Sequence, residues 1–286
     1  MRRVARFARG AVVALAFSLS LGALQPTPAR AQSADSTGSH LPLFTYRDAI
    51  LAGAFIVTAR LVHPLDKHYH DRLQDSSTQA NRKLQLLATF VRTTATPGSY
   101  VIGTSMYVVG RLADNHKLAS LGLHGTEALA VGEGVASVVK MVVGRQRPSV
   151  EPSNPDSYQF MRGLGSDAYR SFPSGHTVSA FAAAAAVTAE TSRNDPSSTW
   201  YVAPIMYGGA ALVGISRMYN NRHWASDVIV GAGIGTFAGL KIVRFNDSHA
   251  GNKVDRFFLN ASVTPKPDGG HALHLSLTPA SLLGLR

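Results

Sequence analysis

From Phe44 to about Val243 the apolar residues fall in blocks of helical length, 48–63, 83–94, 98–113, 117–143, 176–192, 200–216 and 224–243. Ala, Leu and Gly dominate these blocks, and strand-like alternation of β-branched residues is scarce, which is the pattern of helices packed closely on one another. The fold class is therefore all-α, a helical bundle over 44–250. Two polar stretches interrupt it, 64–82 and 148–172, the second carrying Pro148, Pro152 and Pro155. Loops of that length in a compact domain tend to be functional or disordered. Beyond the last block the period changes. Phe257, Leu259, Ala261 and Val263 alternate with polar residues, and Leu273, Leu275 and Leu277 do so after Pro267-Asp268-Gly269-Gly270, so the extension 251–286 is predicted to form a short β-hairpin.

The N-terminus follows another logic. Arg2, Arg3, Arg6 and Arg9 precede an uncharged apolar run, Gly10 to Leu24, which ends in Ala29-Arg30-Ala31. This is the layout of a secretory signal peptide over 1–31, followed by a polar leader over 32–43, and it places the mature protein on the periplasmic or extracytoplasmic side. Loss of 1–31 would remove five arginines and no acid, lowering the formal charge from +11 to +6. Such a charge suits an anionic partner without saying which. With no cysteine in 286 residues, disulfides, a thiol nucleophile and thiolate metal sites are excluded.

Three short elements carry candidate chemistry. Lys140 and Arg147 are seven residues apart, two turns if the helix continues, so both cations are expected on one face of a helix that Pro148 helps to end. A solvated helix end, with Arg145 and Arg147 as ordinary surface charges, is the plainer alternative. Pro173-Ser174-Gly175-His176 opens an alanine-rich helix. Ser174 is placed as its N-cap, Gly175 admits close approach of a ligand, and the free N–H groups of the first turn favour an anion. A routine cap followed by an exposed histidine competes with that reading. Finally, His223 and Asp227 are one helical turn apart behind Ser216-Arg217, so the carboxylate is expected to take a hydrogen bond from one imidazole nitrogen and leave the other as a nucleophile. A surface ion pair would have the same spacing. Trp224 reads as packing, and Glu127 and Glu133 as contacts between helices.

Taken together, KMVVGRQRP at 140–148, PSGH at 173–176 and SRMYNNRHWASD at 216–227 reproduce, with no position altered, the signature K-x6-RP, PSGH, SR-x5-H-x3-D. The chain thus resembles the type 2 phosphatidic acid phosphatase and vanadium haloperoxidase superfamily, on its phosphatase branch. That resemblance implies a phosphoric monoester hydrolase in which His223 attacks phosphorus, Asp227 orients it, and His176 protonates the leaving oxygen. Lys140, Arg147, Ser174, Gly175 and Arg217 would hold the phosphoryl oxygens. It implies no metal and no cofactor, the protein cations taking the metal's role.

A vanadate-dependent haloperoxidase built on the same pocket is the second reading. A non-enzymatic binder of anionic lipid or nucleic acid is the third, and cations tied into a catalytic spacing speak against nucleic acid. Uncharged runs at 49–59, 177–189 and 228–240 are short for a bilayer, whereas 93–110 and 196–216 approach span length. The expected protein is membrane-associated and acts on a lipid phosphate in preference to a soluble ester.

Overall fold

The computed structural model describes residues 43–249, 252–259, 261–265 and 271–275. The expected signal segment 1–31 and nearly all of the leader lie outside them. The helices in chain order are α1 Tyr46–Val62, α2 Asp66–Leu73, α3 Ser76–Gln79, α4 Arg82–Thr93, α5 Ser99–Leu112, α6 His116–Val143, α7 Gly175–Asn194, α8 Thr199–Tyr219, α9 Ala225–Ser248 and α10 Lys253–Leu259. The all-α bundle holds.

Its centre is α7, which packs against α6, α8 and α9. The reason is steric. Ala182, Ala184, Ala185 and Ala186 are wholly buried, and side chains this small let neighbouring backbones approach until a Cβ added at Gly235 of α9 would run into the Val178 carbonyl. Leu51 and Phe55 of α1, Phe181 of α7, Tyr207 of α8 and Ala232 of α9 form one apolar cluster, and Ala128 and Leu129 of α6 join Ala182, Ala186 and Ala238 in a second. The two clusters fix the helix ends that carry the three sequence elements.

Several expectations need correcting. The stretch 64–82 is not a loop: it holds a 3₁₀ turn at His63–Leu65, then α2 and α3. Its charged residues obscured a helix whose Asp66 and His70, one turn apart, both face the rest of the protein: Asp66 is fully buried, and His70 Nε2 lies 3.0 Å from Asn221 Oδ1. At the far end Phe257 and Leu259 belong to α10. The two strands are Ala261–Pro265 and His271–Leu275, paired antiparallel with Val263 opposite Leu273, and residues 266–270 and 276–286 lie outside the description.

Among the described residues the stretches long and apolar enough to cross a bilayer are Tyr46–Leu73 and Ala225–Ser248, not the windows 93–110 and 196–216. The first window is interrupted at Thr96, whose backbone is extended (φ −151°) just before Pro97. Asp48 and Lys241, which bound two of the short uncharged runs, pair with each other at 2.5 Å, so neither interrupts its helix as a lone charge. Ile50, Ile56, Val57, Val101, Ile102 and Ile205 point outward from the bundle, each more than half exposed.

Candidate active site

The first element does not fold as its spacing suggested. α6 ends at Val143, and Gly144 takes a left-handed conformation (φ 58°) that turns the chain sharply. Arg147 therefore lies beyond the helix and shares no helical face with Lys140. Only glycine fits here: a Cβ would strike the Gln159 carbonyl as well as strain the backbone. Gly144→Ala is expected to cost about 1–3 kcal/mol of stability and to displace both cations. An unchanged melting temperature for the variant would show that the turn carries no such constraint.

The turn sends the next residues into the long stretch 148–172, which is firmly tied. Gln159 N–H donates to Gly144 O at 2.8 Å, Gln146 N–H to Ser157 O at 2.9 Å and Arg147 N–H to Ala168 O at 2.8 Å. The Arg147 guanidinium donates to Asp167 through Nη2 to Oδ1 at 2.8 Å and Nε to the main-chain oxygen at 2.8 Å. Lys140 Nζ donates to the Pro173 carbonyl and stands 3.7 Å from where a Cβ on Gly175 would sit, so the lysine fills the space that this glycine leaves open.

Ser174 stands at the N-cap position of α7 and is fully buried, but its side chain makes no capping bond. Its oxygen instead accepts from Thr177 Oγ1 at 2.8 Å, which leaves its own proton to donate elsewhere. His176 follows in the first turn, where its partly buried ring lines a cavity of about 570 Å³ together with Arg217 and Asn220.

His223 is almost fully buried just before α9. Its Nδ1 lies 2.6 Å from the main-chain oxygen of Ser171, and since a carbonyl only accepts, that nitrogen carries the proton and Nε2 keeps the lone pair. Asp227 does not make the expected bond to the ring. Its Oδ2 is 3.8 Å from Nδ1 and accepts instead from Ser171 Oγ at 2.6 Å and Trp224 N–H at 2.9 Å. The carboxylate thus orients the histidine through Ser171, which grips both residues, and adds negative charge beside the ring. Trp224 is buried, with its Nε1 donating to Gln146 O at 3.1 Å, a packing residue as expected.

Sequence reasoning missed what lies behind Asp227. Arg145, read as a surface charge, has no exposed surface; its Nη1 donates to Asp227 Oδ1 at 2.6 Å and its Nη2 to Asp66 Oδ2 at 2.8 Å. Ser226 ties the three together, accepting from Arg145 Nη1 at 2.7 Å and donating to Asp66 Oδ2 at 2.6 Å. The guanidinium also lies over the rings of Tyr158 and Trp224, 5.2 and 5.6 Å from their centroids. Two carboxylates on one guanidinium leave a net negative charge close to His223.

The other arginine behaves differently. Arg217 is 5% exposed, yet its Nε and Nη1 have no hydrogen-bond partner, and neither has Nδ2 of Asn220 in the same cavity wall. Burial, helped by the charges of Arg217, Arg92, Lys140 and Arg147, pushes His176 down to about 4. Burial likewise pushes His223 down to about 3, so its ring is neutral near pH 7. Among the described residues no three His, Asp or Glu side chains converge as a metal site would require. Glu127 accepts from Asn246 Nδ2 at 2.8 Å and Glu133 accepts from the Ser179 hydroxyl, both contacts between helices.

Residues 123–249 match the family model described as PAP2 superfamily. A curated relative, the lipid A 1-phosphatase of Porphyromonas gingivalis, is 37% identical over 111 residues, which are 39% of this chain. The chain spans only 20% of that relative's length. Among solved structures it is similar to the first transmembrane PAP2 type phosphatidylglycerolphosphate phosphatase from Bacillus subtilis, with a TM-score of 0.52 and 21% identity over 71% of this chain and 97% of that one. At that identity the likeness is one of fold.

Proposed function

We propose that this chain, a member of the PAP2 superfamily through residues 123–249, is a metal-independent phosphatase that hydrolyses lipid phosphates through a phosphohistidine on His223. The observation that carries the reading is Arg217, a nearly buried guanidinium with two unsatisfied donor nitrogens that lines one cavity with His176. Leaving buried donors unpaired is costly, and a phosphoryl group supplies the acceptors they lack.

In the proposed reaction the lone pair on His223 Nε2 attacks phosphorus while Ser171 O holds the proton on Nδ1. Lys140, Arg147 and Arg217, with the Ser174 hydroxyl and the α7 N-terminus at Gly175, receive the charge of the three phosphoryl oxygens. The entering phosphate offsets the cations that hold His176 neutral, so its ring takes up a proton, gives it to the leaving oxygen and later takes one from the water that cleaves the phosphohistidine. The negative cluster of Asp66, Arg145 and Asp227 offsets the charge gained by the imidazole.

A lipid substrate agrees with the outward apolar side chains and the two span-length helices, and both relatives bear the names of lipid phosphatases. We place the protein in the membrane with the site on the extracytoplasmic face, as the signal segment implies. Purified protein should release phosphate from lipid phosphate esters in the presence of a chelator, and orthovanadate should inhibit by mimicking five-coordinate phosphorus. Activity lost in chelator and restored by one divalent ion would overturn the reading, as would peroxide-dependent halide oxidation without phosphatase turnover. Fractionation should find the protein with membranes, released by detergent and not by high salt.

A further inference from the structure

At the end of the bundle opposite the site, about 24 Å along α6 from Lys140 at roughly 1.5 Å per residue, lies a second buried charged cluster that takes no part in the proposed reaction. His124 stands in the third turn of α6, outside both span-length stretches, and is 4% exposed. Its Nδ1 is 2.7 Å from Glu190 Oε1 of α7, and its Nε2 is 3.2 Å from Asp255 Oδ1 of α10. Carboxylate oxygens only accept, so both ring nitrogens must donate, and only the imidazolium does that. A neutral ring would turn a lone pair towards one of the two carboxylates.

The surroundings make that proton decisive. Glu190 has a second cation, Arg193, whose Nη2 donates to its Oε2 at 2.6 Å and which also pairs with Asp247 of α9. Asp255 has no cation other than His124 bonded to it among the described residues. Glu127, one turn further along α6, accepts from Asn246 Nδ2 at 2.8 Å and adds negative charge near both His124 and Asp255. From α5, which contains no acid and no histidine, Tyr107 and Arg111 donate to the main-chain oxygens of Phe258 and Leu259. Burial opposes a charge on His124, but Glu190 and Asp255 outweigh it and keep the ring protonated above the ordinary histidine range. The start of α10 is tied separately: Asn252 Oδ1 accepts from the N–H groups of Val254 and Asp255 at 3.0 Å, and its Nδ2 donates to Asn246 Oδ1 at 3.0 Å.

We propose that His124, Glu190 and Asp255 form a proton-operated clasp that docks α10, and with it the C-terminal extension, on the bundle. Loss of the second ring proton leaves Asp255 beside Glu190 and Glu127 with no cation between them, so α10 swings away about Asn252. A histidine whose pKa is raised by docking stabilises the docked state fully at pH below its free value, and that gain is lost as pH rises through the raised value. The clasp is therefore closed in mild acid and opens at alkaline pH. It is independent of the phosphatase reading and uses none of its residues.

The chain has no cysteine, so two introduced ones would be the sole sites for spin labels. Lys117→Cys at the start of α6 and Phe257→Cys on α10 alter exposed positions, and the distance between them reads docking in the full chain in detergent. One narrow distance is expected at about pH 6, below the ordinary histidine value. Towards about pH 9 the docked-to-released ratio should fall by up to about tenfold per unit, the slope for one linked proton. Asp255→Asn supplies an amide that accepts from the charged ring or donates to the neutral one, so α10 should stay docked throughout. His124→Gln has no titrating proton and should also lose the response. A distance that does not change with pH in the labelled chain overturns the clasp, as does release on lowering the pH or a full response in either variant. Because the labels alter only exposed positions, the labelled chain decides the matter even where His124→Gln fails to fold.

Discussion

His223→Ala is expected to lower kcat by roughly 10⁴-fold or more, the loss seen when a nucleophile acting as part of a unit is removed. The size of the effect follows from how specifically this ring is prepared. Ser171 O fixes its tautomer from 2.6 Å, burial keeps it neutral, and the charges of Lys140 and Arg147 act on it. His176 does not replace it, because burial and four nearby cations disfavour the positive charge its ring would gain as a nucleophile and no carboxylate cluster stands behind it to offset that charge. Steady-state turnover of a lipid phosphate by purified His223→Ala is the measurement, and activity within tenfold of wild type would remove His223 from the mechanism.

The largest effect on stability is expected at Arg145. Its two carboxylate partners, Asp66 and Asp227, are fully buried, and neither has another cation bonded to it among the described residues. Arg145→Ala would leave two like charges facing a cavity, a loss of about 3–5 kcal/mol on the scale of broken buried pairs. Removing an interior charge together with its partner is milder, so Asp66→Asn in the Arg145→Met background should recover part of the loss. Equilibrium unfolding in detergent would reveal both effects. A change under about 1 kcal/mol for Arg145→Ala, the scale of an exposed pair, would mean that the cluster is solvated after all.

These two residues mark the limits of what the sequence could say. The blocks of small apolar residues specified the helices well, because alanine-rich packing around α7 writes itself into composition, and the eight candidate site residues lie at or beside the ends of α6, α7, α8 and α9. Arg145 was illegible for a local reason: the interval from Lys140 to Arg147 looks like two helical turns only while the helix continues, and the left-handed Gly144 ends it first. Asp66 was illegible for a topological reason, since it lies 79 residues from Arg145 and 160 from Ser226 and no periodicity links them. The acceptor for His223 escaped notice because it is a main-chain oxygen, which no side-chain spacing encodes. Asp227 sits at the expected turn of the helix, yet its hydrogen bonds go to Ser171, Trp224 and Arg145 instead of the imidazole.

The span-length helices were obscured by the same kind of distant pairing. Lys241 and Asp48 each end an uncharged run when read alone, and together they form one neutral contact between α9 and α1.

The central claim is a covalent bond between phosphorus and His223 Nε2. Full-length protein mixed with a lipid phosphate labelled at the terminal phosphate, quenched in alkali within milliseconds and digested, should yield one labelled peptide with acid-labile, alkali-stable phosphate on His223. The same experiment with His176→Ala should label the same peptide more slowly, because the leaving oxygen loses its proton donor. Label on any other residue, or none while phosphate is released at the full rate, would contradict the account.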